Sequence, residues 1–325
     1  MSIAIVGAGI MGCTLARLYA DLGHQVRLYE RQDRIGGLCA DGFDADGDFV
    51  QFFGPHIFHT RNPEVLRFVT RFGAWRSDYQ HRVISRCGER TVPVPINATT
   101  LEMLHTDAAG AIASLYEPYS KKQWGPHWES MRETALARVR IRGTAEDRYF
   151  PLDEFQGFPI RGFSAWMAQM VESPQIALWP RTSPDVARIS GEHARVYWTG
   201  RIDAAFRYRL GILPFRTIDF QFRRQYPVEN LPEPEIGAVR RTHFGLLLGA
   251  GKPEKVLEEF PRDCEPGEIP THPVISPESQ ALWREYARLL PENVIPVGRC
   301  AEMKYLDMDA SIERAFTVLA SQCSN

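Results

Sequence analysis

The first thirty residues alternate between compact apolar runs and one amphipathic stretch. Residues 3–6 (IAIV) form an apolar run rich in β-branched side chains, which is typical of a strand buried on both faces. The next segment carries leucines at helical spacing up to Gly23, a residue suited to ending a helix. Residues 25–30 (QVRLYE) predict a second strand that ends in Glu30. The pattern is strand–helix–strand, the opening unit of an α/β fold.

Farther along, the apolar spacing predicts helices first and strands later. The first half contains a helix over 61–75 with Asn62 as its cap, a hairpin over 81–96 and a largely helical segment over 98–137. The second half contains three strands (193–200, 205–211 and 215–222), an irregular connection over 226–236, a buried strand over 293–298 and a helix from Ala310 capped by Asp309.

Composition narrows the class of protein. The 325 residues carry a net charge of −2, which indicates no general affinity for nucleic acid. No apolar run approaches the roughly 18 residues that a membrane span requires. The six cysteines include no C-x-x-C pair, which argues against a zinc site or a disulfide framework. We therefore expect reduced thiols, no metal and a cytoplasmic location.

A glycine motif follows the first predicted strand. Gly7, Gly9 and Gly12 form G-x-G-x-x-G at the start of the predicted helix, and Glu30 follows at the end of the second strand. The glycines let the backbone approach a pyrophosphate, and the acidic residue can accept hydrogen bonds from a ribose. This context favours dinucleotide binding over an incidental glycine-rich turn.

A second glycine pair bears on which dinucleotide is bound. Gly36 and Gly37 lie directly behind the first unit, within DRIGGLC at 33–39, and Arg31 precedes them. This arrangement resembles the pattern of FAD proteins of the glutathione-reductase class, in which an extra loop wraps the longer flavin dinucleotide. The alternatives are a plain turn between strands and an NAD site, and we favour FAD.

The stretch GPHIFHT at 54–60 packs His56 and His59 between turn-forming residues. A metal site would need further ligands, and neither histidine has a cysteine or acidic partner at a suggestive spacing. A structural turn and a cofactor contact both remain open from the residues alone.

A series of motifs in fixed order resembles the flavin-dependent UDP-galactopyranose mutases over nearly the whole chain. The matching segments are GAGIMG, GGLC, GPHIFHT, YSKKQWG, RIRGTAEDRYFPLDEFQGFP, YWTGRID, YRLGILPFRTIDF, EFP with GEIP, and GRCAEMKYLDMD. The chain is identified as a divergent, shortened member of this family.

The resemblance implies an isomerase that interconverts pyranose and furanose forms of a nucleotide sugar without net redox change. It implies bound FAD in the reduced form, whose N5 acts as a nucleophile on the anomeric carbon. It further implies a reductant for the flavin and the possibility of a homo-oligomer. Partners of other kinds, namely nucleic acid and membrane, are not expected.

The resemblance also assigns residues. His59 lies beside the flavin ring, Arg142 binds the departing diphosphate, Trp124 contacts the sugar, and Tyr305 and Asp307 lie near the diphosphate and flavin. The cofactor-binding set is Gly7, Gly9, Gly12, Glu30, Arg31, Gly36, Gly37, Leu38, His56, Arg299, Tyr305, Asp307 and Met308. In this family setting GPHIFHT is interpreted as a flavin contact.

Three departures from the family fall on the nucleotide-sugar site. The helical block before YSKKQWG is shorter than the family's, with Tyr116 as a loose replacement for a stacking aromatic. Gly237 stands where the family has a second phosphate-binding arginine, and only one of Arg240 and Arg241 can face inward. The segment PTHPVI brings His272 to a position of the family's tyrosine-rich stretch. An altered substrate is expected.

These features predict an α/β fold with a Rossmann-like FAD-binding domain of the glutathione-reductase class, an inserted helical block and a β-rich substrate domain. The predicted parts are an FAD-binding part at 1–80, a shortened hairpin and helical insertion at 81–137, a β-sheet substrate region with returns to the FAD domain at 138–292, and a closing strand and helix at 293–325. Two other functions stay open, namely an FAD-dependent oxidoreductase of the amine-oxidase and desaturase group and a non-catalytic flavoprotein.

Overall fold

The computed structural model describes residues 2–223, 228–248 and 256–323. The strands are β1 Ser2–Val6, β2 Gln25–Tyr29, β3 Asp41–Phe43, β4 Phe49–Gln51, β5 Phe58–Thr60, β6 Trp75–Arg76, β7 Val83–Cys87, β8 Arg90–Val94, β9 Phe155–Pro159, β10 Ile176–Trp179, β11 Arg195–Trp198, β12 Phe215–Arg223, β13 Val228–Asn230, β14 Arg240–His243, β15 Val256–Asp263, β16 His272–Pro273 and β17 Val294–Pro296.

The helices are α1 Ile10–Asp21, α2 Pro63–Val69, α3 Ala98–Leu104, α4 Ala108–Ala111, α5 Glu117–Trp124, α6 Trp128–Leu136, α7 Phe163–Val171, α8 Val186–Glu192, α9 Ile202–Ala205, α10 Phe244–Leu248, α11 Pro277–Ala287 and α12 Met308–Cys323. None of the described helices is long and apolar enough to cross a membrane.

A parallel five-stranded sheet forms the first layer, in the order β10-β2-β1-β11-β17. Strand β1 is buried because both of its faces are covered, as its apolar run predicts. Helix α1 follows it and is stopped at Gly23, whose positive φ of 83° suits a helix end. The predicted strand–helix–strand unit and the Rossmann-like α/β fold are confirmed.

A seven-stranded sheet forms the second layer, in the order β16-β12-β15-β14-β13-β7-β8. The predicted hairpin is confirmed as β7 and β8, and it joins this sheet through a parallel pairing with β13. One hydrophobic core connects the layers, because buried Ile5 and Leu15 beside the parallel sheet belong to the same cluster as Val92 and Leu257 of the second sheet.

Helices occupy most of the segment between the hairpin and the return to the parallel sheet. Asn97 caps α3 with a reciprocal capping box to Thr100, and Asp107 caps α4 by accepting from the Gly110 amide. The last of this series, α5 and α6, pack on one another and lead into the arginine-rich segment that starts at Arg138.

Three predictions of elements need correction. The segment 205–211 is not a strand: it follows the short helix α9 as a turn, with Arg207 and Tyr208 at positive φ. The strand predicted over 193–200 is confirmed as β11, which belongs to the parallel sheet.

The irregular connection predicted over 226–236 contains β13, which pairs with two neighbours, while residues 226–227 lie outside the described part. Helix α12 begins at Met308, before Ala310, because the Ser311 amide already donates to the main-chain oxygen of Asp307. Asp309 is therefore inside the first turn, where its carboxylate accepts from the Ala310 amide.

Candidate active site

A cavity of about 1540 Å³ lies between the two layers. Its lining includes residues at the carboxyl ends of the parallel strands, such as Val6, Glu30 and Trp198, which is where open α/β sheets bind ligands. Its opposite wall comes from strands of the seven-stranded sheet, which supply among others Ser85 and Arg240. The volume exceeds the roughly 300–1,000 Å³ of a typical small-ligand site, so the cavity has room for two ligands.

The first glycine motif forms a tight turn at one end of the cavity. Gly7 has a φ of +102°, and a Cβ on Gly12 would lie 1.9 Å from the Gly7 carbonyl oxygen. Gly12 does not line the cavity, because its role in this turn is to let α1 approach the backbone after β1. The Glu30 carboxylate fixes the same turn by accepting from the Ala8 amide at 2.7 Å.

The second glycine pair packs directly on the first. The Gly36 amide donates to the Ala8 carbonyl at 2.9 Å, and a Cβ on Gly37 would lie 2.9 Å from the Gly9 Cα. Gly7, Gly9, Gly36 and Gly37 all line the cavity and leave bare backbone there. This side-chain-free cradle at the N-terminus of α1 fits the pyrophosphate of a dinucleotide.

The two histidines of GPHIFHT both line the cavity but have different surroundings. His56 Nδ1 is 2.9 Å from the Gly54 carbonyl oxygen, and burial lowers the pKa of His56 from 6.5 to about 4. His59 stacks on Phe150 with 3.6 Å between ring centroids, and its Nδ1 lies 2.6 Å from Asp153 Oδ2. Within the described ranges, no three histidine, cysteine, aspartate or glutamate side chains form a group that could hold a metal ion.

His81 gives a pH prediction. It is 6% exposed, and burial first, then the charge of Arg240, lowers its pKa from 6.5 to about 3. Below pH 6.5 the unfolded chain binds a proton that the folded chain refuses, so stability falls as the pH drops towards about 3. We expect His81→Gln to flatten the acid-side fall of the thermal midpoint, measured by calorimetry. His105→Asn, at an exposed site, is the control and should leave the slope unchanged.

Two guanidinium groups lie over the ring of Tyr305, which lines the cavity. Arg138 lies 3.6 Å and Arg299 lies 4.5 Å from the centre of the tyrosine ring. Arg299 donates to the carbonyls of Leu306 and Thr271, whereas the guanidinium of Arg138 makes no hydrogen bond to any described residue. Arg138 therefore offers free donors to a ligand.

His272 lies against the same tyrosine ring, with centroids 5.6 Å apart. Burial, followed by the charges of Arg299, Arg240 and Arg138, lowers the pKa of His272 well below its ordinary value. The imidazole is therefore neutral and adds no charge of its own to the cationic cluster.

Arg240, the first residue of β14, enters the cavity wall from the seven-stranded sheet. Its Nη2 donates to the Tyr119 hydroxyl at 2.9 Å, and its Nη1 lies 3.5 Å from Glu259 Oε1, on a carboxylate that is 2% exposed. Arg241 faces away and pairs with Glu258 at 2.5 Å. As alternation along a strand requires, only one of the two arginines faces the cavity, and it is Arg240.

The remaining candidates also lie around the cavity. Trp124 ends α5 at 8% exposure and makes an edge contact with the His272 ring, 6.2 Å between centroids. Asp307 and Met308 lie at the start of α12, and Tyr116 lies on the wall near Tyr119. Arg31, Leu38 and Arg299 complete the predicted set on the lining.

Arg142 is the exception. Its guanidinium does not line the cavity and is held by the main-chain carbonyls of Glu146, Arg148 and Tyr149, which lie on the turn that follows it. These acceptors take three of the five N–H donors of the guanidinium. The assignment of Arg142 to the diphosphate therefore stays a prediction, whereas Arg138 and Arg140 line the cavity in this structure.

Five residues of the site were not singled out from the sequence. His81, Tyr119, Phe150 and Glu259 line the cavity, and Asp153 contacts the lining residue His59. Tyr119, Phe150, Asp153 and Glu259 fall inside the quoted motifs YSKKQWG, RIRGTAEDRYFPLDEFQGFP and EFP, so the signal was their place in a motif. His81 stands outside those motifs, and no local pattern marked it. Its role depends on burial, which the local pattern does not report.

Two family models match the chain. Residues 114–305, more than half of the chain, match the model described as UDP-galactopyranose mutase. Residues 5–72 match the model described as an NAD(P)-binding Rossmann-like domain, which covers both glycine motifs.

Two curated mutases are similar to the chain over nearly its whole length. The chain is 28% identical over 371 residues to dTDP-fucopyranose mutase of Escherichia coli, with 96% of each protein covered. It is 28% identical over 379 residues to UDP-galactopyranose mutase of Mycoplasma pneumoniae, covering 96% of this chain and 93% of the relative.

A crystal structure of reduced UDP-galactopyranose mutase superposes with a TM-score of 0.70 at 15% identity, covering 98% of this chain and 95% of the other. The alignments to the relatives are longer than this chain of 325 residues, so the relatives carry segments that it lacks. The chain is a shortened member of the UDP-galactopyranose mutase family.

Proposed function

We propose that this protein is a flavin-dependent mutase that interconverts pyranose and furanose forms of a nucleotide-activated sugar. The observation that carries the proposal is one cavity with two distinct ends. A glycine cradle suited to a dinucleotide lies at one end, and a cluster of guanidinium groups with free donors lies farther along the same lining. A mutase of this kind needs a cofactor and a nucleotide diphosphate side by side.

The proposed cofactor is FAD, bound as in the glutathione-reductase class. The packing of Gly36 and Gly37 on the first glycine turn supports an extended dinucleotide, with Glu30 placed for a ribose. Arg31, Leu38, His56, Arg299 and Met308 would complete the cofactor contacts. When bound in its reduced form, the flavin supplies a nucleophile for the anomeric carbon.

The chain's own contribution is electrostatic. Negative charge develops on the nucleotide diphosphate as it leaves the sugar, and cations placed beside it stabilise that charge. Arg138 has free donors, and Arg240 is anchored by Tyr119 and Glu259 so that its position is preset. We propose that these two arginines take the roles expected of Arg142 and of the position occupied by Gly237.

Other side chains orient the ligands. Trp124 provides an aromatic surface for the sugar, and Tyr305 is held between the cations for contact with the diphosphate. Asp153 and Phe150 hold the His59 ring in one orientation on the lining, and Asp307 sits at the start of α12. A neutral His272 can accept a hydrogen bond from a ligand hydroxyl without adding charge.

The arginine assignment is testable by comparing Arg138→Met with Arg142→Met. Loss of a charge-assisted phosphate contact costs about 1.5–3 kcal/mol, so Arg138→Met should weaken UDP binding roughly 10- to 150-fold while leaving the thermal midpoint nearly unchanged. Arg142→Met should lower the midpoint and spare UDP affinity. Isothermal titration measures the UDP affinity and scanning calorimetry measures the thermal midpoint. Weaker UDP binding in Arg142→Met, with wild-type affinity in Arg138→Met, would assign the diphosphate to Arg142.

The proposed substrate differs from UDP-galactopyranose. The short helical block and Gly237, at the position of the family's second phosphate-binding arginine, support this proposal. A relative acts, by its name, on dTDP-fucopyranose, which makes nucleotides and sugars of both kinds reasonable candidates.

The function is tested by mixing dithionite-reduced protein with a panel of UDP- and dTDP-pyranoses and separating the products by chromatography. We expect a furanose product from at least one member, none from the oxidised protein, and no bleaching of the oxidised flavin by substrate. Bleaching by substrate would favour an oxidoreductase, and binding without any product would favour a non-catalytic flavoprotein.

The four domain boundaries, a flavin reductant, a homo-oligomer and a cytoplasmic location are part of the same proposal. The parallel sheet leads into the glycine cradle and the seven-stranded sheet supplies Arg240, which supports a cofactor side and a substrate side of the cavity.

A further inference from the structure

Lys122 on α5 makes an unusual set of contacts. Its ammonium donates to the main-chain oxygens of Leu231, Glu233, Ile236 and Ala238, the last three at 3.1, 2.9 and 2.8 Å. We name these four oxygens the carbonyl cage. An ammonium has three protons, so four acceptors share them and the group is bound much as a metal cation would be.

The segment 231–238 that supplies the cage has no helix or strand of its own. Among the described residues, its main-chain amides donate to main-chain oxygens only from Leu231 to Val239 and from Ile236 to Glu233. The ammonium therefore supplies most of the polar contacts that hold this segment in place. Immediately after it, β14 begins at Arg240.

Helix α5 connects the cage to the cavity. Tyr119, one turn before Lys122, accepts from Arg240, and Trp124, two residues after Lys122, lines the cavity. The C-terminal end of the helix is fixed separately, because the buried Arg216 donates its Nε proton to the Gln123 carbonyl at 2.8 Å. Helix α5 thus carries three groups of the site. They are Lys122, which holds the segment before Arg240, Tyr119, which binds Arg240, and Trp124, which lines the cavity.

We propose that Lys122 is a positioning residue whose ammonium holds segment 231–238 against α5 and thereby sets Arg240 for the substrate diphosphate. The role of Arg240 in this inference rests on the proposed function, whereas the ordering of the segment does not.

The contacts of Lys122 with the carbonyl cage require a protonated side chain. Burial lowers the pKa of Lys122 to about 8, and the nearby carboxylates of Glu233 and Glu235 oppose that fall, so the group keeps its proton at neutral pH. A neutral amine would turn a lone pair towards oxygens that also carry lone pairs.

The test compares Lys122→Met with Lys121→Met, which removes an exposed lysine from the same helix. In the flavin-loaded protein, we expect Lys122→Met to speed amide hydrogen exchange over 231–240 and to weaken UDP binding about 10- to 100-fold, with the flavin spectrum unchanged. Lys121→Met should match the wild type. Lys122→Gln, which keeps polarity but not charge, should show the same direction and guards against a folding failure of the methionine variant.

A second measurement asks whether the cage needs a cation. Lys122→Ala leaves space for an ion, so ammonium or potassium chloride should restore part of the UDP affinity, whereas tetramethylammonium chloride, which is too large, should not. Unchanged exchange over 231–240 in both Lys122→Met and Lys122→Gln would overturn the anchoring role. Faster exchange with unchanged UDP affinity would overturn the link to Arg240. Failure of the proposed function itself would appear separately, as no UDP binding by the wild type.

Discussion

Replacement of Arg240 by methionine should weaken binding of UDP and of nucleotide sugars by roughly 10- to 150-fold, because a charge-assisted phosphate contact is worth about 1.5–3 kcal/mol. The turnover number should fall as well, since in the proposed reaction the same guanidinium faces the charge that develops on the leaving diphosphate. Titration with UDP and steady-state kinetics of the reduced protein measure the two effects.

The stability effect of Arg240→Met must be separated from binding. Removing the arginine leaves the buried Glu259 without its cationic partner. Burial raises the pKa of Glu259, and the charge of Arg240 opposes that rise. The double variant Arg240→Met with Glu259→Gln removes the unpaired carboxylate, so it should recover stability and still bind UDP weakly. Arg241→Met, on the opposite face of the same strand, is the matched control. Wild-type UDP affinity in the double variant would show that Arg240 does not bind the diphosphate.

Substitution of Gly12 by alanine should abolish flavin retention and strongly destabilise the fold. Its Cβ would lie 1.9 Å from the Gly7 carbonyl oxygen, a backbone atom that cannot move without disturbing the glycine cradle. We expect a loss of several kcal/mol in the free energy of unfolding and protein that purifies without flavin. Flavin absorbance per protein and a denaturant titration measure both.

The control for Gly12→Ala is Gly191→Ala in α8, where a new Cβ meets nothing within 4 Å. Alanine is the better helix former, so this variant should keep its flavin and gain up to about 1 kcal/mol of stability. A flavin-loaded, stable Gly12→Ala protein would contradict the tight-turn account of the cradle.

Features set by local chemistry could be predicted from the sequence. The β1–α1–β2 unit, the Asn62 cap and the β7–β8 hairpin each depend on residues close together in the chain, so periodicity and turn residues were sufficient to find them. The glycine cradle belongs to the same group, because strand, glycine spacing and Glu30 lie within one short unit.

Features set by contacts between side chains and the folded backbone could not be predicted in this way. Residues 138–140 form no regular strand, so strand alternation gave no guide to which arginine faces the cavity, and Arg142 was captured by the carbonyls of its own turn. The segment 205–211 has a strand-like composition, but the buried Arg201–Asp203 pair holds α9 at its start and the chain turns at positive φ. Neither constraint leaves a local pattern in the sequence.

We propose that the cavity holds a nucleotide diphosphate on Arg138 and Arg240, beside the flavin. A crystal structure of the flavin-loaded protein with UDP tests this most directly. We predict diphosphate oxygens within about 2.7–3.2 Å of the guanidinium nitrogens of Arg138 and Arg240. A diphosphate bound at Arg142, or one bound outside the cavity between the two sheets, would contradict it.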